Sequence, residues 1–126
     1  MPTLKLQELD GDYAIVQLPT EAEIPRWWTG EGFAAVSRTN SEVSVVCRSE
    51  RVPEGMRLDA GWVAFTLAGI ATLSGTGDIL ALVRPLSENG LSVFVVSAFS
   101  GISLLIKRDH VERARRYLQA AGHRFV

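Results

Sequence analysis

The chain has 126 residues, 47% of them apolar, enough core for one domain or for two very small ones sharing it. Its 13 basic and 14 acidic side chains leave a formal net charge of −1, which removes the electrostatic ground for a nucleic acid or anionic membrane partner. Cys47 is the single cysteine, so an internal disulfide framework is excluded, and His110 and His123 have no cysteine at metal-ligand spacing. No apolar run reaches the ~18 residues of a membrane span, and the start MPTLKLQELDGDY lacks the apolar segment of a signal peptide. A cytoplasmic protein is expected.

Thr3 to Leu9 alternates, with Leu4, Leu6 and Glu8 against Lys5, Gln7 and Leu9. Asp10-Gly11 and a second strand-like run, Tyr13 to Leu18, follow, and Asp-Gly between two such runs predicts a hairpin. Pro19 ends the second strand because it cannot donate to a ladder. Pro25 suits a first helical turn, so Ile24 to Trp28 is predicted as one or two turns, with Trp27 and Trp28 plugging a small core. Phe33 to Thr39 and Glu42 to Arg48 form a second predicted hairpin about Asn40-Ser41, with Val43, Val45 and Cys47 on one face. Ser49 to Gly61 is polar, holds Pro53 and two glycines, and reads as a linker between halves 1–60 and 61–126.

Trp62 to Ala68 is strand-like and leads into the small-residue loop Gly69 to Gly77. Thr76 is the expected N-cap of the next helix, and Asp78 complements its dipole. Ile79, Leu82, Val83 and Leu86 form the expected apolar stripe. Pro85 removes the bond to the Ala81 carbonyl, so a kink or loosened last turn is expected, and Gly90 is the C′ residue. Leu91 to Phe99 is a strand without a charge, Ser100-Gly101 turns the chain, and Ile102 to Lys107 returns. Asp109 with Glu112 makes a capping-box pattern for a last helix buried through Val111, Ala114, Leu118 and Ala121. His123 to Val126 is long enough for a closing edge strand. The second half thus reads strand-helix-strand-strand-helix-strand, the ferredoxin-like order, and the whole chain is an α+β protein. The first half, with its first strand moved to the end, is a reduced and permuted version of the same βαββαβ unit.

Neither histidine falls near a candidate nucleophile, and no pair of carboxylates is placed for acid–base work. The run SGTGD lacks the Lys-Ser/Thr of a P-loop and is not GxGxxG, so no cofactor is expected. What remains is a loop rich in backbone donors opening onto a helix. Gly75 and Gly77 permit close approach, and Ser74 and Thr76 add hydroxyls, a combination suited to a small carboxylate.

Several runs resemble the ACT-domain superfamily, in particular small bacterial proteins of the CASTOR/ACT type built from two ACT repeats. They are FAAVSRTNSEVSVVC (Phe33 to Cys47), Gly69 with Ser74, Thr76-Gly77, Pro85-Leu86, and GLSVFVVSAF (Gly90 to Phe99). The resemblance implies regulatory binding of a small molecule, an amino acid in most members, without catalysis. Carried across, it implies ligand contacts from Ser74, Gly75, Thr76 and Gly77, from Ser97, Ala98 and Phe99, and from Ser37, Arg38 and Thr39. Two positions at which members commonly carry aspartate hold Ser100 and Ile102, which leaves the carboxylate end of a ligand better served than its amine. The partner expected is thus an amino acid or other carboxylate, with a homodimer allowed. The alternative is a ligand-free ACT scaffold acting as a protein–protein or self-association module.

Overall fold

The computed structural model describes residues 3–68 and 77–126. Its elements are β1 (Lys5–Glu8), β2 (Tyr13–Leu18), β3 (Ala35–Arg38), β4 (Val43–Arg48), β5 (Arg57–Leu67), α1 (Asp78–Ser87), β6 (Phe94–Ala98), β7 (Gly101–Lys107), α2 (Val111–Ala120) and β8 (Arg124–Phe125). Among the described residues this is a mixed α+β fold of eight strands and two helices, and the α+β class is the one that the sequence order predicts. The chain divides into two compact units, Asp10–Trp62 and Met1–Leu9 with Val63–Val126.

In the unit Asp10–Trp62 the strand order is β3-β4-β2-β5, every pair antiparallel. The β3–β4 hairpin forms as predicted, with Ser37 opposite Ser44 and Val36 opposite Val45. Val43, Val45 and Cys47 are fully buried on one face with Ala14 and Val16, and Trp27 and Trp28 pack half-buried against them. The tryptophans plug the core from a turn, not from the helix expected over Ile24 to Trp28. The predicted linker is also shorter in fact. A 3₁₀ turn covers Ser49–Arg51, and β5 begins at Arg57. The polar Arg57 and Asp59 are strand residues because β2 supplies backbone partners, Arg57 opposite Gln17 and Asp59 opposite Ile15. Ladder bonds hold polar residues as readily as apolar ones, so side-chain pattern missed them.

In the other unit the order is β8-β1-β5-β7-β6. The expected β1–β2 hairpin does not form. β1 runs antiparallel to the second half of β5, Leu6 opposite Leu67 and Glu8 opposite Phe65, while β2 runs along the first half. Asp10-Gly11 therefore carries the chain onward, through Gly11 at φ 92°, and does not reverse it. β8 pairs parallel to β1, with Arg124 opposite Lys5. The core gathers Leu6, Val63, Phe65, Leu82, Leu86, Leu104, Ile106, Ala114 and Leu118, all buried. Full burial of each large side chain contributes about 1.5–3 kcal/mol.

The helices depart from prediction in informative ways. On α1 the buried face is Ala81, Leu82 and Leu86, while Ile79 and Leu80 at its start are 45% and 51% exposed. Leu82 and Leu86 are buried and Val83 half-buried as the predicted stripe requires, with Ala81 added to it and Ile79 left out. On α2 Val111, Ala114 and Leu118 are buried as expected, and Ala121, past the helix end, is exposed. The capping box does not form. Arg108–His110 is a 3₁₀ turn, and the N-cap His110 makes no side-chain cap bond. Both helices end on glycine. Gly122 N–H donates to Gln119 and His123 N–H to Leu118, the paired bonds of a Schellman ending, with Gly122 at φ 98°. Gly90 and Leu91 close α1 in the same way.

Pro85 neither breaks α1 nor loosens it before Ser87. The carbonyl it leaves unserved, that of Ala81, accepts a bond of 2.9 Å from Nε2 of His123, a side chain only 3% exposed. The other ring nitrogen, Nδ1, accepts the Leu4 N–H at 3.1 Å. The ring is therefore the neutral Nε2–H form, fixed by one donor and one acceptor. His123 is thus a buried link between α1 and the β1 end of the sheet, not a surface residue.

Candidate functional site

α1 starts at Gly77, in the left-handed region at φ 86°, with no side-chain cap bond. Only glycine adopts this conformation without cost, and a Cβ added there would meet nothing within 4 Å. The N-cap is Gly77 and not Thr76. Ser74, Gly75 and Thr76 lie outside the described residues. The Gly77 carbonyl accepts the Ala81 N–H at 2.9 Å, which closes the first turn, while the N–H groups ahead of it have no intrahelical acceptor.

Ser97, Ala98 and Phe99 sit in the same unit, at the end of β6 and in its turn to β7. Ser97 faces Ile102 and Ala98 faces Gly101 across the ladder. All three are exposed, and Phe99 most of all, at 85%. An aromatic ring so exposed next to two small residues is a ready contact surface.

Ser37, Arg38 and Thr39 belong to the other unit. Arg38 donates to the carbonyls of Thr20 and, at 2.8 Å, of Ala22. The Thr20 hydroxyl donates to the Thr39 carbonyl. The Thr39 hydroxyl accepts from the Ser41 and Glu42 N–H groups at 3.1 and 3.2 Å. Arg38 and Thr39 therefore hold the turns around β3. Ser37 is exposed and shares a sheet face with Ser44, Gln17 and Arg57.

That face carries a groove of about 240 Å³ which the sequence reasoning missed. Gln17, Glu42, Ser44, Arg57 and Asp59 supply its polar walls, and Ile15 its apolar floor. The Glu42 carboxylate accepts from Gln17 Nε2 at 3.0 Å and from the Ser44 hydroxyl at 2.5 Å. The Ser44 bond, then the Gln17 bond, and the charge of Arg57 hold the Glu42 carboxyl below its ordinary pKa. The available signal was the alternation of Gln17 and Ser44, but with 57–59 read as linker their third neighbour was hidden.

Other reactive side chains are committed elsewhere. Cys47 is fully buried, and burial pushes its thiol pKa up. Among the described residues no group of His, Cys, Asp and Glu is placed to hold a metal ion. Among the described residues no helix is long and apolar enough to cross a membrane.

The class follows from topology: from β5 onward the order βαββαβ with both helices packed into one core is the ferredoxin-like arrangement of ACT domains. The ACT-domain sequence pattern matches residues 57–120, and the chain belongs to the ACT-domain family. A second pattern, for an N-terminal domain, matches residues 11–55. A crystal structure of a protein from Agobacterium tumefaciens is 39% identical, with a TM-score of 0.95, over 100% of this chain and 94% of that one. A Vibrio cholerae protein of unknown function is 17% identical, with a TM-score of 0.75, over 95% and 91%. The ligand-free regulatory subunit of aspartate kinase from Thermus thermophilus shares the fold at 11% identity and a TM-score of 0.61, over 92% and 93%. Comparison with curated proteins gave no significant match.

Proposed function

We propose that the chain is a regulatory ACT protein that binds an amino acid or another small carboxylate and catalyses nothing. The observation that carries this is the start of α1, a left-handed glycine without a side-chain cap, where first-turn N–H groups and the helix dipole favour an anion. Ser74, Gly75, Thr76 and Gly77 would hold the carboxylate, with Ser97, Ala98 and Phe99 of the same unit beside the ligand. The regulatory reading is supported by the family and by the likeness in fold to an aspartate kinase regulatory subunit.

The test is a thermal-shift screen against the common amino acids and small carboxylates. A ligand at 100 times its Kd adds about 2.7 kcal/mol to stability. Gly77→Asp, which places a carboxylate over the same N–H groups, should remove the shift while the protein stays folded. A shift of unchanged size in Gly77→Asp refutes the site, and no shift with any compound at millimolar concentration refutes the function.

One observation favours the alternative, a self-associating scaffold. Among the described residues β6 pairs with β7 alone, its sequence FVVSA has no charge, and the exposed Phe99 follows it. Such an edge is open to strand addition by a second copy. Sedimentation showing a monomer at all concentrations would exclude it.

A further inference from the structure

We infer that residues 23–32 of the unit Asp10–Trp62 form a lid over the apolar face around Cys47, latched by Arg51 and able to open while the strands stay paired. The inference goes beyond the proposal for α1 and uses none of its residues. It begins with what holds the segment between β2 and β3, which has no helix or strand of its own. The start of that segment is pinned. Arg38 donates to the carbonyls of Thr20 and Ala22, the Thr20 hydroxyl donates to the Thr39 carbonyl, and the Ala22 N–H donates to the Pro19 carbonyl. The end is pinned as well, because the Phe33 N–H donates to the buried Tyr13 hydroxyl at 3.1 Å.

Between these pins, among the described residues, one hydrogen bond ties the segment to the rest of the unit. Arg51 Nη2 donates to the Glu31 carbonyl at 2.6 Å. Otherwise the lid is held by packing. Trp27 and Trp28 lie half-buried against the cluster of Ala14, Val16, Val43, Val45 and Cys47. Sub-global opening favours segments tied down by few buried contacts, and here two half-buried rings and one bond stand against the full ladder of β2 with β4.

Arg51 is built as a latch. It ends the 3₁₀ turn that follows β4, so its backbone is anchored to the sheet. Its guanidinium lies so close to Gly30 that a Cβ there would collide with it. Among the described residues it pairs with no carboxylate, and its Nη1 is buried without an acceptor. The closed lid therefore leaves one donor unserved, and opening returns that donor to water. This narrows the free-energy gap between the closed and open states, which is what a two-state element requires.

Cys47 is the reporter, being the single cysteine and fully buried in the cluster that the two rings cover. The experiment measures how fast a soluble aryl disulfide labels Cys47 in the full chain, at urea concentrations below the unfolding transition. A lid that opens by itself exposes little surface, so the rate should follow urea with a small fraction of the slope of equilibrium unfolding. Arg51→Gln should raise the rate about tenfold, the effect of one lost bond from a charged donor. Burial pushes the Cys47 thiol pKa up and the Arg51 charge draws it part of the way back, so losing that charge by itself slows labelling. Acceleration in Arg51→Gln therefore reports opening. Arg38→Gln removes bonds that the open lid keeps, so it should lower stability to urea and leave the labelling rate nearly unchanged. These three results together support the lid. Labelling of the native chain with the full slope of unfolding overturns it, and that measurement needs no variant to fold. A small slope without acceleration in Arg51→Gln overturns the latch, and equal acceleration in both variants overturns the fixed pin at residues 20–22.

Discussion

Removing the His123 imidazole should have a cost that depends on Pro85. In the native protein Nε2 of His123 serves the Ala81 carbonyl at 2.9 Å, and Nδ1 accepts the Leu4 N–H at 3.1 Å. His123→Ala leaves both backbone groups without those partners. A buried polar group left unsatisfied costs about 1–3 kcal/mol. A cavity of about 140 Å³ beside the ring, lined by Ala81, Arg84, Pro85, Ala121 and His123, lets water reach the site, so the low end of that range applies. The expected loss is about 2–4 kcal/mol for the two groups together. In a Pro85→Ala background, residue 85 regains an N–H one helical turn beyond Ala81 and serves that carbonyl itself. There His123→Ala should cost only the Leu4 contact, about 1–2 kcal/mol. Urea unfolding of the native chain, both single variants and the double variant gives the coupling directly. The reasoning predicts a coupling of about 1–2 kcal/mol, with the double variant more stable than the sum of the singles. Equal costs of His123→Ala in both backgrounds would show that the Ala81 carbonyl does not depend on the ring.

Two further outcomes follow from the unit Asp10–Trp62. Gly32 and Gly55 share nearly the same backbone, φ 89° and 87°, but a Cβ on Gly32 would lie 2.4 Å from the buried Tyr13 hydroxyl, while one on Gly55 meets nothing within 4 Å. Gly55→Ala should cost about 1–2 kcal/mol from strain alone, and Gly32→Ala about 1–3 kcal/mol more from the clash; equal losses on urea unfolding would remove Tyr13 from the account. Glu42 has a carboxyl whose pKa is lowered in the folded protein, by its bonds from Ser44 and Gln17 first. A depressed carboxyl stabilises above its unfolded value near 4.3 and loses that contribution as pH falls through the folded value. The melting temperature of the native chain should therefore exceed that of Glu42→Gln at neutral pH, with the gap closing in acid; a gap independent of pH speaks against a charged Glu42 in that role.

What could be read from sequence was what depends on neighbours in the chain. Alternation gave β2, β4 and β7, Gly90 placed the end of α1, and the order of elements from Trp62 onward gave the ferredoxin-like class. What escaped needed partners far along the chain. Asp10-Gly11 has hairpin composition, yet β1 and β2 each find β5, and only the long strand could show that. Arg57 and Asp59 looked like linker because their strand character comes from β2 backbone. His123 has no local signal at all: its two bonds reach residues 4 and 81. The groove was hidden for the same reason, being a property of register across strands. The start of α1 was legible to within one residue, Gly77 taking the N-cap position expected of Thr76, because a helix start is local.

The pairing of β1 with β8 has a consequence for how the chain comes to fold. The Arg124 N–H donates to the Leu4 carbonyl and the Val126 N–H to that of Leu6, and the Leu4 N–H meets a ring 119 residues further on. On a ribosome β1 emerges well before β8. Until synthesis has passed residue 67, β1 lacks its β5 neighbour, and until β8 has emerged its other edge lacks the parallel partner. Closing a loop of that length carries an entropy cost on the order of 4 kcal/mol before its contacts return any of it. Leu6, only 1% exposed in the fold, thus waits for neighbours made far later in synthesis than itself. The segment Asp10–Trp62 has its strand partners within itself and can be structured long before that. The growing chain should show two waves of protection from proteolysis, the second only once β8 has emerged.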